Sequence, residues 1–83
     1  MGRKRRKSPK KLAGKLREIR LGMELTQEQL AKQLKTDSGT ISRFETGKRE
    51  PSLLEILAYS RLSGVGIEVL LDDKVNLIKK ARL

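Results

Sequence analysis

Apolar residues recur along this chain at helical spacing. Leu12, Leu16 and Ile19 are four and three apart, and Met23 lies four further on, which predicts a helix with one inward stripe. Ser8 ahead of Pro9 predicts its N-cap and first helical position, with Gly22 near its end. Thr26-Gln27-Glu28-Gln29 reads as a capping box, and Leu25 and Leu30 sit where a hydrophobic staple needs them, so a second helix starts here with Leu30, Ala31 and Leu34 inward. Lys35-Thr36-Asp37 separates it from a third helix, capped by Asp37 and running from Ser38 to about Glu45 with Ile41 and Phe44 inward. Gly47 supplies the left-handed stop. Pro51, Ser52 and Glu55 open a fourth helix that ends at Gly64, with Leu53, Ile56, Leu57 and Tyr59 as its buried face. A fifth follows Gly66 through Ile67, Leu70 and Leu71. No segment alternates with period two as a half-buried strand does, so the predicted fold is all-α.

Beyond Asp72-Asp73, Leu71, Val75 and Ile78 continue at helical spacing among lysines. With Leu70 they predict a two-fold dimer contact; packing against the fourth helix is the alternative for Leu70 and Leu71. The chain divides into a basic arm at 1–8, a domain at 9–71 and a tail at 72–83 that is a candidate dimerisation segment. At 83 residues there is room for one modest core.

Composition narrows the function. With no cysteine and no histidine, thiolate nucleophiles, imidazole bases and the usual zinc sites are excluded, and no phosphate-binding glycine loop appears. The chain reads as a binder that is not an enzyme and needs no cofactor or metal. Twenty Lys and Arg against ten Asp and Glu give a net charge of +10, which points to a polyanion. Arg3, Lys4, Arg5, Arg6, Lys7, Lys10 and Lys11 stand in the first eleven residues with no acid among them. Such a run predicts an arm that is disordered alone and lies along DNA phosphates when bound; a solubility tag is the plainer reading. No apolar run approaches a membrane span, so a soluble, cytoplasmic, nucleoid-associated protein of bacterial or phage origin is expected.

Two short helices joined by a three-residue turn make a helix-turn-helix, whose second helix can enter a major groove about 12 Å wide. Leu-Thr-Gln-Glu-Gln-Leu-Ala at 25–31, Thr-Ile-Ser-Arg-Phe-Glu-Thr-Gly-Lys-Arg at 40–49 and Pro51 resemble the phage repressor/Cro-type, or XRE-type, helix-turn-helix family over residues 12–71. The resemblance implies a five-helix domain that binds double-stranded DNA operators with inverted half-sites as a homodimer. The function expected is a transcriptional regulator, a repressor first, with helix 38–45 in the major groove. An antitoxin with a toxin partner, or a protein-binding adaptor on the same fold, is the competing reading. RNA recognition is disfavoured, because Phe44 and Tyr59, the only aromatics, both face inward and leave no stacking platform.

Ser38, Gly39, Ser42 and Arg43 share the outward face of the third helix, with Thr40 at its edge, and these five are the base-contact candidates. Arg43 alone can bond guanine O6 and N7 together, and it could equally hold a phosphate. For Gln27 the resemblance implies a phosphate contact that also braces the recognition helix. It implies phosphate contacts for Thr46, Lys48 and Arg49 as well, through main-chain N–H groups and basic side chains. Arg20 and Glu45 match the family's ion pair between the first and third helices. Two departures concern the backbone: Lys35 and Glu24 stand where glycine is common, so a left-handed conformation there costs about 1 kcal/mol unless the turn takes another shape.

Overall fold

A computed structural model describes residues 11–73 of the chain. Within them five helices follow in order: α1 (Leu12–Gly22), α2 (Gln27–Gln33), α3 (Ser38–Thr46), α4 (Leu53–Ser63) and α5 (Ile67–Leu71). No strand occurs among the described residues. The stripes read from the sequence meet in one core of Leu12, Leu16, Ile19, Leu30, Ala31, Ile41, Phe44, Ile56, Tyr59 and Leu70. Phe44 and Tyr59 fill its centre edge to face, with ring centroids 6.4 Å apart. Met23, Leu25, Leu34, Val65 and Ile67 close its margins.

The helix ends follow local chemistry. Thr26 Oγ1 accepts from the Gln29 N–H at 3.0 Å while the Thr26 N–H donates to Gln29 Oε1 at 2.8 Å, and Ser52 and Glu55 repeat this reciprocal box at the start of α4. Gly47 and Gly64 end α3 and α4 at φ 80°. Lys35 and Glu24 adopt the left-handed conformation too, each at φ 60°. Both end their helix in a Schellman arrangement. The Thr36 N–H reaches Ala31 O at 2.8 Å, and the Leu25 N–H reaches Arg20 O at 3.3 Å.

Helix α1 is described from Leu12; its entry residue Lys11 has no local side-chain cap, and the Lys11 N–H donates to the Asp73 carboxylate at 3.0 Å. Three expectations change. Leu53 is not buried: at 62% exposed, with Leu54 at 77%, it shows that the first turn of α4 stands clear of the core. In α5, Val69 and Leu70 are the inward residues, while Leu71 is 38% exposed. Leu70, fully buried inside its own domain, is therefore removed from the expected dimer contact. Val75 and Ile78, the arm with Arg3 to Lys7, and the Ser8-Pro9 pair lie outside the described residues.

Candidate nucleic-acid interface

The four residues 34–37 between α2 and α3, and the packing of the two helices, leave one side of α3 in the core and the other in solvent. Ile41 and Phe44 are buried, whereas Ser38, Arg43 and Thr46 are exposed and Gly39 and Ser42 half-buried. Thr40 departs from its expected place. It lies one turn before Phe44 and so shares that residue's inward face, only 5% exposed, which removes it from the base-facing set. The remaining four form a continuous outward strip of small hydroxyls, a glycine and one long cation.

Asp37 begins the helix. Its Oδ1 accepts the Thr40 N–H at 2.7 Å, and this bond, ahead of the nearby Arg43 and Arg49 charges, holds its carboxyl below the ordinary 3.8. An anionic cap at the start of α3 is thus secure near neutral pH. Over Gly39, the Arg43 guanidinium folds back toward this carboxylate: a Cβ on Gly39 would stand 3.4 Å from Asp37 Oδ1 and 3.5 Å from Arg43 Nη1.

Orientation of α3 is fixed from behind. Arg20 Nε donates to Glu45 Oε2 at 2.7 Å and Nη2 to Oε1 at 3.0 Å, a two-pronged pair whose side chains are 11% and 2% exposed. Arg20 Nη1 also donates to Leu25 O at 2.9 Å, which ties the loop before α2 to the same guanidinium. The Glu45 carboxylate, through its hydrogen bonds first, raises the Arg20 pKa. Gln27 joins this network: its Nε2 donates to Glu45 Oε1 at 3.1 Å, so the first residue of α2 braces the last turn of α3.

At the far end, Arg49 lies over the Phe44 ring with its guanidinium carbon 5.8 Å from the centroid. Lys48, Arg49 and Thr46 are all exposed. The main-chain part of the expected phosphate grip does not hold for two groups, because the N–H groups of Lys48 and Arg49 both donate to Arg43 O, at 3.0 and 3.2 Å. The Ala13 Cβ lies 4.0 Å from where a Cβ on Gly47 would be, so the first turn of α1, from which the basic segment continues, borders the end of α3.

Lys15 has a role that its charge does not announce. Only 5% exposed, it donates from Nζ to Val69 O at 2.5 Å and Asp72 O at 2.8 Å, capping the C-terminus of α5 with a cation and fastening it to α1. Its place in the apolar stripe, three after Leu12 and four before Ile19, is the signal that marks it. Among the described residues no group of acidic side chains is arranged to hold a metal, and no helix is long and apolar enough to cross a membrane.

The helix-turn-helix family model matches residues 16–70. The HTH-type transcriptional activator BcrR of Enterococcus faecalis is 42% identical over 60 residues, which are 72% of this chain. The match spans 29% of that protein's length. In fold the chain is similar to the P22 c2 repressor protein, solved in complex with synthetic operator 9T, with a TM-score of 0.69 at 24% identity over 75% of this chain and 94% of that one. It is also similar to a hypothetical transcription factor, NHTF, from Neisseria, with a TM-score of 0.68 at 25% identity over 86% and 78% of the two chains.

Proposed function

Because this chain belongs to the helix-turn-helix family of the repressor/Cro (XRE) type, we propose that it is a sequence-specific regulator of transcription that places α3 in the major groove of double-stranded DNA. One observation carries the reading. The outward strip, with Ser38 and Arg43 exposed and Gly39 and Ser42 half-buried, lies on a helix whose inward side is locked by Ile41, Phe44 and the Arg20–Glu45–Gln27 network. A helix that only supported the fold would have no need of so rigid a mount for a polar face.

In this reading Arg43 contacts a base edge. Gln27, Thr46, Lys48 and Arg49 surround the strip and meet phosphates by side chain, and the arm residues Arg3, Lys4, Arg5, Arg6 and Lys7 add contacts along the backbone. The protein acts as a homodimer on inverted half-sites, with Leu71 and the tail residues Val75 and Ile78 contributing to the two-fold contact. BcrR is named an activator; whether this protein represses, as the sequence suggests, depends on where its operator lies relative to a promoter.

Selection from random duplex DNA tests the proposal. Enrichment of an inverted repeat is expected, and a reporter placed under a promoter containing that repeat then reads the sign of regulation. No enrichment over the starting pool would refute the reading in favour of protein binding.

A further inference from the structure

Resting on α3 as the base-reading helix, we propose that Asp37 and Arg43 together recognise one G·C pair, Arg43 donating to guanine O6 and N7 and Asp37 accepting from cytosine N4–H of the same pair.

The juxtaposition is built by Gly39. Asp37 Oδ1 and both terminal nitrogens of Arg43 come within 3.4–3.6 Å of the position a Cβ on Gly39 would take. Carboxylate and guanidinium thus converge over a residue that puts nothing between them and the groove. No ion pair of 4.0 Å or less joins the two among the described residues, so neither group is tied up by the other. Oδ1 is committed to the Thr40 N–H at 2.7 Å, and a carboxylate has two oxygens, which leaves Oδ2 as a positioned acceptor.

Chemistry selects what that pair can read. Phosphates are anionic and offer no proton, so a fixed carboxylate on the DNA-facing end of α3 weakens binding unless a donor meets it. In the major groove only cytosine N4 and adenine N6 offer donors. Across a G·C pair the groove edge presents acceptor, acceptor, donor, as N7, O6 and N4; across A·T it presents acceptor, donor, acceptor. A guanidinium fork needs two adjacent acceptors, and a carboxylate beside it needs the donor next in line. Only the G·C order supplies both, so Asp37 commits to a G·C base edge the guanidinium that Arg43 alone could equally place on a phosphate.

The test compares wild type, Asp37→Asn, Arg43→Ala and the double variant in selection from random duplex DNA, with affinities then measured on the wild-type site and on that site altered at each position. Asparagine caps helices as well as aspartate, so Asp37→Asn retains the start of α3, and thermal melting confirms it. Wild type is expected to enrich a fixed G·C pair in each half-site. Both single variants are expected to relax that same pair, with a roughly 5- to 150-fold loss of discrimination per half-site, and the double variant to relax it no further. Relaxation of a different position by Asp37→Asn, or a uniform gain in affinity for all sequences, would overturn the proposal while leaving α3 as the reader. A wild type that enriches no motif would overturn both.

Discussion

Replacing Glu45 by leucine removes one partner from a pair that is almost wholly out of water. The Arg20 guanidinium then loses the bonds at 2.7 and 3.0 Å and keeps only Leu25 O, while the Gln27 amide loses its acceptor as well. With side-chain exposures of 11% and 2%, water replaces little of what is removed, so the deletion belongs with buried charges and costs about 3–5 kcal/mol. A domain of this length holds about 4–12 kcal/mol in all. The variant should therefore melt tens of degrees lower or be unfolded in part at room temperature. Arg20→Met should cost a similar amount, because the Glu45 carboxylate then keeps only the Gln27 donor. Arg20→Met/Glu45→Leu removes both charges and restores apolar packing, so it should be more stable than either single variant. Urea unfolding followed by circular dichroism measures all four proteins. Single variants that each lose under about 1 kcal/mol, as exposed pairs do, would refute this account. So would a double variant that loses the sum of the singles.

Lys35→Gly and Glu24→Gly should each stabilise the domain by up to about 1 kcal/mol in the same assay, because both residues hold a left-handed conformation that glycine adopts without strain; a loss would contradict the Schellman ends described above. Tyr59→Phe should unfold no more easily than wild type, since the buried Tyr59 hydroxyl meets no hydrogen-bond partner among the described residues. Burial raises the Tyr59 pKa well above its ordinary 10.0, so the unfolded chain gives up the phenol proton first and wild-type stability falls as pH rises past about 10. That part of the alkaline loss should be missing in Tyr59→Phe, and identical pH profiles would contradict it. Deleting residues 2–7 should weaken duplex binding and flatten the slope of log K against log salt by about 0.9 for each phosphate no longer neutralised, and an unchanged slope would show that the arm touches no DNA.

The parts of this fold that are legible in the sequence are those set by local chemistry. The boxes at Thr26–Gln29 and Ser52–Glu55, the Asp37 cap and the glycine stops at 47 and 64 each require particular atoms a few residues apart, and the folded chain has them in place. What sequence spacing does not supply depends on where helices end relative to one another. Leu53 has the right period for burial but sits on a turn that projects past its neighbours. Lys15 looks like a surface cation until the C-terminus of α5 brings the carbonyls of Val69 and Asp72 above it. The Thr40 hydroxyl suits DNA and so favours the edge of the recognition face, although its position one turn before Phe44 already places it inward. Arg20 and Glu45 are 25 residues apart in sequence, and the family resemblance, not periodicity, is what pairs them.

Binding of Arg43→Ala to the selected duplex is the most direct test of α3 as the DNA-reading element. Arg43 is exposed, and its removal leaves Ile41, Phe44 and the Arg20–Glu45 pair untouched, so melting should not change. Affinity for the selected site should fall by about 1–3 kcal/mol per half-site while binding to scrambled duplex changes far less. A variant that binds both duplexes as wild type does, with the same melting temperature, would show that this face of α3 does not read DNA.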